Sequence, residues 1–495
     1  MQTNANDTIA AIATPPGIGG VGIVRVSGPE ALAIARRIFR RSGKHQDAAD
    51  WQPESHRLYY GHAIQPRTGQ TLDEALLAFM RGPHSYTAED VVEIQGHGGP
   101  LVLRRILDAA LSEGARLANP GEMTLRAFLN GRIDLAQAEA VMDVIGARTD
   151  ESLSLALAQL RGRLSEQVQA ARQDTLGALA QIEASIDFPD DVSAPEPERL
   201  RASIEAAAGR VARLLAGAEQ GRLYREGLRV AIIGRPNVGK SSLLNALLRA
   251  ERAIVTPIAG TTRDTVEEYA NVRGIPVQLI DTAGINETSD PIEQIGVQRS
   301  RAAARAADLV LLVLDASEPL NERDEAVSAA LHALGFGRSD PALQDEARGH
   351  PASEADGARA GRPVIVVLNK SDLPQRLAER EATVHWPDAP VVRTSMITQD
   401  GLEALEEQMR AQALAGQVRR ASDEEALVTN TRHRDALRRT AEHLSGALET
   451  LQQGLPFDFV AIDLHGAANA LGEITGETAT EDLLERIFHD FCLGK

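Results

Sequence analysis

Apolar positions along this 495-residue chain recur with two periods, and the changes of period divide it into parts. Thr8-Ile-Ala-Ala-Ile-Ala13 and Val21-Gly-Ile-Val-Arg-Val26 read as strands flanking the loop Thr14-Pro-Pro-Gly-Ile-Gly-Gly20. Asp90-Val-Val-Glu-Ile-Gln95 reads as another strand, ending at Gly96-His-Gly-Gly99 before a helix from Pro100 to Leu111. From about 133 to 220 the period becomes helical (Leu153, Leu157, Leu160, Leu164, Val168), with no proline before Pro189. Phe188-Pro-Asp-Asp191 breaks that run, and a second helix is expected from Glu196 to Arg222. Largely apolar runs follow at Leu228–Ile233, Val277–Ile280, Leu309–Leu314 and Val364–Leu368, interrupted by Arg229 and Gln278, as buried parallel strands require. From Asp423 the chain turns helical again: Leu437, Leu444, Leu448 and Leu451 share a face, then come Phe459 to Leu471 and Thr480 to Phe491.

Helices on both sides of the strand-rich stretch imply an insertion into one helical domain whose halves pack together. The expected units are 1–130, mixed α+β; 131–222 and 419–495, the two helical halves; and 223–418, a doubly wound α/β nucleotide domain. Within the last, Gly335 to Gly361 reads as an exposed, partly disordered insertion.

The chemistry is carried by Gly234-Arg-Pro-Asn-Val-Gly-Lys-Ser241, which sits directly behind a strand. A P-loop needs that context, because backbone N–H groups of Val238, Gly239 and their neighbours must turn inward around phosphates at a helix N-terminus. Lys240 reaches the β/γ-phosphates, Ser241 offers a hydroxyl to Mg²⁺, and the helix is expected to start near Ser242. Downstream come Thr256-Pro-Ile-Ala-Gly-Thr-Thr262, Asp281-Thr-Ala-Gly284 and Asn369-Lys-Ser-Asp372. Each follows in the order of a doubly wound sheet, with ligands at the carboxyl ends of apolar strands. Thr262 can complete the Mg²⁺ site, Asp281 can hold its water shell, and Gly284 can donate its N–H to a γ-phosphate. The carboxylate of Asp372 accepts from the donor edge of guanine, so the nucleotide read from these residues is GTP.

One position departs from the Ras-like pattern. After Asp-x-x-Gly a glutamine would orient the attacking water, and this chain has Ile285. Glu287, Asp290 and Glu293 are the nearby carboxylates. Asn237, inside the P-loop, reads equally as a turn residue or as a ligand to a monovalent cation that neutralises transition-state charge.

Composition narrows the class. With 52 basic and 70 acidic residues the net charge is −18, which speaks against a protein that coats nucleic acid non-specifically. Arg432-His-Arg434 with Arg438-Arg439 is the candidate local basic patch, against the plainer reading of a solvated helix face. No apolar run of about eighteen residues and no leader pattern occurs, so a soluble, cytoplasmic protein without a membrane role is expected. The one cysteine, Cys492, rules out an internal disulfide framework. It reads either as an apolar anchor or as an accessible nucleophile, and Gly494 breaks the prenylation pattern.

Taken together these residues resemble the MnmE (TrmE) family of tRNA-modification GTPases over essentially the whole chain. The carrying segments are Thr14-Pro-Pro-Gly17, Gly19-Gly-Val-Gly22, Glu89 to Gly99, Pro120-Gly-Glu122 and Arg126-Ala-Phe-Leu-Asn130. To these add Asp134 to Ala140, Ile186-Asp-Phe-Pro-Asp190, the GTPase motifs, and Phe491-Cys-Leu-Gly-Lys495. The resemblance implies a homodimer formed through an N-terminal domain that binds a tetrahydrofolate derivative (5-formyl or 5,10-methylene). It implies a helical domain carrying the inserted GTPase, and a FAD-dependent partner, MnmG (GidA), in a heterotetramer or larger complex. Together they install an aminomethyl-type group, carboxymethylaminomethyl among them, at carbon 5 of the wobble uridine of certain tRNAs.

By the same resemblance Asn237, Thr256, Ile258 and Thr261 are K⁺ ligands, and Glu293 is the catalytic glutamate that replaces the missing glutamine. Arg25, Glu93, Arg132 and Lys495 are folate contacts. Ser395-Met396-Ile397 stands where Ser-Ala-Lys or Ser-Ala-Arg is expected beside the base, and the insertion after Leu334 is an addition to the family pattern. The rival reading is a GTPase switch that escorts ribosome assembly on ribosomal RNA. Such proteins usually append a basic RNA-binding module, and this acidic chain carries a glycine-looped N-terminal domain instead.

Overall fold

The computed structural model describes residues 7–42, 51–250, 268–280, 302–337, 362–414, 427–489, 491 and 494. The first unit runs β1 (Ile9–Ile12), β2 (Gly19–Ser27), α1 (Ala31–Ile38), β3 (Phe39–Arg41), β4 (Arg57–Ile64), β5 (Thr71–Met80), β6 (Val91–Gly98), α2 (Pro100–Ser112), β7 (Arg116–Leu117) and α3 (Glu122–Leu129). Its sheet has the order β3-β4-β5-β6-β2-β1-β7, antiparallel except for the β1–β7 pair. Alternation along the strands sends Val24, Val26, Leu77, Phe79, Val92 and Ile94 into a core under α1 and α2. The opposite face carries Arg25 and Glu93, which are cross-strand partners.

Gly19 and Gly20 belong to β2, not to the loop the sequence suggests. The pairing of β2 with β6 runs out to Gly98, with a register shift between Gly19 and Gly22. A Cβ at Gly22 would lie 2.5 Å from Leu103 Cδ1, and one at Gly98 2.5 Å from the Gly19 carbonyl. These glycines admit close strand and helix approach, which is a packing role.

The helical unit comprises α4 (Leu135–Gly146), α5 (Asp150–Leu160), α6 (Arg163–Asp187), α7 (Pro197–Ala216) and α8 (Ala218–Glu226). It is completed by α13 (Thr431–Gln452), α14 (Phe457–Thr475) and α15 (Glu481–His489) from the chain's end. Two expected continuous helices are broken. The first breaks twice, at 147–149 between α4 and α5 and at Gly162, whose φ of 88° ends helical backbone between α5 and α6. The second breaks at Gly217, where Leu427 closes on the position a Cβ would take. Val168, Ile182, Ile204 and Val211 from the first half share one buried core with Leu437, Leu444, Leu464 and Leu471 from the second. Each such side chain contributes about 1.5–3 kcal/mol by leaving water, so neither half has a complete core alone. At the far end Phe488 and Phe491 pack against Leu125, Leu135 and Ala138.

On α13 the candidate basic patch does not form, and the plainer reading of a solvated face holds for Arg434, Arg438 and Arg439 only. Arg432 and His433 turn inward onto Glu139 of α4, with Arg432 Nη2 and His433 Nε2 each 2.7 Å from Glu139 Oε2. Arg434 pairs with Glu219, Arg438 with Glu442 and Arg439 with Glu473. The cluster is neutralised rather than offered to a polyanion. Burial pushes the Glu139 carboxyl up, but His433 and Arg432 outweigh it and hold the group at about 2. Burial keeps the fully enclosed His433 imidazole below its usual range, against the pull of Glu139.

Glu139→Ala would leave a guanidinium without its anion in the joint between the two halves. The expected loss is about 3–5 kcal/mol in chemical denaturation. A loss below about 1 kcal/mol would mean the pair is not desolvated as described. Because the folded carboxyl titrates below its ordinary value of 4.5, its contribution is full above that pH. It is lost as the pH falls toward 2.

The inserted unit contains β8 (Leu228–Ile233), α9 (Lys240–Ala250), β9 (Glu268–Val272), β10 (Ile275–Ile280), β11 (Leu309–Asp315) and α10 (Glu322–Ala333). It continues with β12 (Val364–Asn369), α11 (Glu379–Ala382), β13 (Val391–Arg393) and α12 (Leu402–Ala413). The sheet order is β13-β12-β11-β8-β10-β9, parallel except for β9. The β9–β10 hairpin turns at Arg273-Gly274, both left-handed (φ 49° and 90°). It docks on the helical unit: the Arg148 guanidinium lies 3.4 Å from the Tyr269 ring centre, and a Cβ at Gly274 would lie 2.4 Å from the Glu151 carboxyl carbon. A cavity of about 250 Å³, lined by Asp143, Arg148, Tyr224, Arg225 and Pro276 among others, lies in this joint. Gly274→Ala is expected to cost about 1 kcal/mol or more through its positive φ. An unchanged melting temperature would contradict the tight seat.

Candidate nucleotide site

Strand β8 ends at Ile233 and the chain turns sharply at Gly234, where a Cβ would lie 2.4 Å from the Val313 carbonyl. Asn237 (φ 65°) and Gly239 (φ 100°) then take left-handed backbone on either side of buried Val238. Gly239 is seated so that a Cβ would fall 2.1 Å from Asn369 Nδ2. That amide donates to the Val238 carbonyl at 2.8 Å, so β12 and the P-loop hold each other. α9 begins at Lys240, two residues before the expected Ser242, which is exposed in its first turn.

Lys240 Nζ donates to the Arg235 carbonyl of its own loop at 2.8 Å. Burial pushes its ammonium below the usual lysine range. Among the described residues it pairs with no carboxylate, so this cation is satisfied by backbone alone. A half-buried cation at a helix N-terminus, on a loop with no room for side chains at Gly234 and Gly239, fits phosphate oxygens.

At the base end Lys370 is left-handed (φ 64°), and its Nζ lies 2.6 Å from Asp315 Oδ2. Burial pushes the Asp315 carboxyl up, but Lys370 and Ser317 outweigh it and hold it below the usual range. Fully buried Ser395 donates from Oγ to Asp372 Oδ1 at 2.6 Å and fixes the plane of that exposed carboxylate. The loop is closed by Gly401, left-handed at φ 78°, where a Cβ would lie 1.9 Å from the Arg393 carbonyl. Met396 packs against the core beneath the sheet, while Ile397 is exposed.

Asn237, Val238, Gly239, Lys240, Ser241, Ser242, Asn369, Lys370, Asp372, Ser395, Met396 and Ile397 thus fall within the described structure. Thr256, Pro257, Ile258, Ala259, Gly260, Thr261, Thr262, Asp281, Thr282, Ala283, Gly284, Ile285 and Glu293 lie outside the described residues, as do Cys492, Lys495 and 338–361 of the insertion. β9 begins after the first of these segments and β10 ends immediately before Asp281.

A second cluster forms on the N-terminal sheet. Arg25 binds Glu93 through Nε (3.0 Å) and Nη2 (2.9 Å), and its guanidinium lies 5.4 Å from the Tyr86 ring centre. The Arg132 guanidinium lies 5.1 Å from the same ring and donates to the Tyr86 carbonyl at 2.7 Å. Two cations therefore share one aromatic ring, and Thr124 holds its hydroxyl at 2.9 Å. Arg25 Nη1 also reaches the Gly494 carbonyl at 3.5 Å, so the chain's terminal segment arrives at this place. Tyr86 was not singled out from the sequence; its position just ahead of the Glu89 motif was the available signal.

Among the described residues no helix is long and apolar enough to cross a membrane. Two family models match: residues 8–132 fit "GTP-binding protein TrmE N-terminus" and 135–492 fit "MnmE helical domain". A Chloroflexus aurantiacus protein called tRNA modification GTPase MnmE is 53% identical over 492 residues, 99% of this chain and 100% of that protein. Proteins of the same name from Moorella thermoacetica (48% identical, 99% of this chain and 100% of that one) and Listeria innocua (46%, 99% of each) match over the same extent.

Proposed function

The chain belongs to the MnmE family of tRNA modification GTPases, and from that premise we propose a K⁺-dependent GTP hydrolase that serves wobble-uridine chemistry together with a FAD-dependent partner. As a family member it is a GTPase acting in tRNA modification. The finer reading is that it helps install an aminomethyl-type group at carbon 5 of the wobble uridine, using a tetrahydrofolate derivative.

The observation that carries this reading is the Arg25–Tyr86–Arg132 cluster beside Gly494. A switch that only escorts ribosomal RNA has no use for a second cationic site on an N-terminal sheet. Arg25 and Arg132 suit the carboxylates of a folate tail, Glu93 orients Arg25, and Lys495 is assigned to the same ligand by resemblance. Exposed Leu58 and Tyr60 on the uncovered sheet face, with exposed Ile18, Val21 and Leu101, support a homodimer through this unit.

At the nucleotide, Lys240 binds the β/γ-phosphates and Asp372 selects guanine. Ser241 and Thr262 would hold Mg²⁺, and Asn237, Thr256, Ile258 and Thr261 would hold K⁺; both cations supply neutralising charge to the transferring phosphate. The exposed Asn237 amide makes no side-chain hydrogen bond among the described residues, which fits a ligand role. Glu293 positions the attacking water in place of the glutamine that Ile285 displaces.

Replacing K⁺ by Na⁺ should lower GTP turnover at least about tenfold; equal rates in the two salts would sink the cation assignment. Glu293→Ala should bind GTP and fail to hydrolyse it, and unaltered turnover would exonerate that residue.

A further inference from the structure

Ile186-Asp-Phe-Pro-Asp190 has no part in either site, yet it presents apolar side chains to solvent. Ile186, Phe188, Leu455, Phe459 and Ile462 are each between 44% and 66% exposed. They come from two antiparallel helices. Arg172 of α6 donates to Ala468 of α14 at 3.3 Å, and further along α6 Glu183 pairs with His465 at 2.9 Å. Three residues beyond that ion pair on α6 is Ile186, and three residues back on α14 is Ile462. At about 1.5 Å rise per residue the two isoleucines stand level, one turn beyond the bridge. Phe188, Phe459 and Leu455 follow at the same end of the bundle, so the five form one patch.

Its rim is acidic. Asp187, Asp190, Asp191 and Asp458 are exposed, and none pairs with a cation among the described residues. Single exposed apolar residues need no explanation, but a contiguous patch of this kind marks an interaction surface. The rim decides the occupant. RNA phosphates and anionic lipid would both be repelled. A second copy about a two-fold axis would set the same carboxylates against themselves.

We infer that this end of the helical domain is the docking surface for a partner protein with an apolar centre and a Lys/Arg rim. It rests on the reading above that the FAD-dependent flavoprotein completes the enzyme, and that flavoprotein is the occupant. Val460 and Leu464, on the same helix as Phe459 and Ile462, are buried in the core, so the patch stands on packed side chains.

The test is titration of the full-length dimer with the purified flavoprotein by calorimetry, at low and high salt. Phe459→Ser with Ile462→Ser should weaken binding about tenfold or more, as loss of central apolar anchors does. Asp190→Lys with Asp191→Lys should weaken it chiefly at low salt, as loss of rim charge does. GTP turnover and helical circular dichroism should be unchanged in both, since these side chains face solvent. If the unaltered chain binds and both variants bind equally well, the surface is wrong and the partner reading stands. If the unaltered chain does not bind the flavoprotein, the partner reading falls and this assignment with it. Weakened self-association or weakened tRNA binding in the variants, with flavoprotein binding intact, would also overturn it.

Discussion

Asp372→Asn is expected to weaken GTP binding by on the order of 10²–10⁴-fold, because two charge-assisted hydrogen bonds worth about 1.5–3 kcal/mol each are lost. The effect should fall on affinity and KM, with kcat on saturating nucleotide little changed, if the residue meets the base and not the phosphates as proposed. The amide can donate where the carboxylate could only accept, so a base with a carbonyl in place of guanine's amino group should gain what GTP loses. Ser395 holds the Asp372 carboxylate in plane, so Ser395→Ala should produce a weaker form of the same defect. Competition binding with the two triphosphates measures this directly. An Asp372→Asn protein that still prefers guanine would show that the base is read elsewhere.

Lys240→Ala is expected to reduce kcat/KM for GTP by on the order of 10³-fold or more, about 4 kcal/mol of transition-state stabilisation. Among the described residues this ammonium rests on the Arg235 carbonyl, and its removal breaks no ion pair there. Stability should therefore change little while catalysis collapses. The thermal midpoint and the rate have to be measured on the same preparation. A large fall in the midpoint would make the lysine a structural residue, contrary to the account.

What could be read from the chain follows the distance between partners. The P-loop packs its glycines, Asn237 and Lys240 into eight consecutive residues, so its chemistry is visible as a string. Of the four apolar runs, β11 and β12 are buried throughout and β8 and β10 largely so, and they announce themselves by composition. Contacts across the fold leave no such trace. Arg432 reaches Glu139 from 293 positions away, so a helix face that looks basic in sequence is neutral in space. Tyr86 gathers Arg25 and Arg132 although the three stand on separate elements. The breaks at Gly162 and Gly217 were hidden because the apolar period continues across them. Only the backbone at Gly162 and the close approach of Leu427 at Gly217 reveal them.

The rim of Asp187, Asp190 and Asp191 was legible as charge, but its meaning depends on α14 lying alongside. The Glu183–His465 pair sets residues 186 and 462 level on neighbouring helices, and no window on the sequence does so. The docking of the β9–β10 hairpin on α5 is similar. Gly274 looks like an ordinary turn residue until Glu151 is found against it.

If GTP turnover by this chain serves wobble-uridine modification, mass spectrometry of nucleosides from the wobble position of tRNA will show it in cells lacking the protein. The tRNA should lose the aminomethyl-type group at carbon 5, and the unaltered gene should restore it while the Lys240→Ala form should not. Wobble uridines that stay fully modified in those cells, accompanied by a defect in ribosome assembly, would contradict the account.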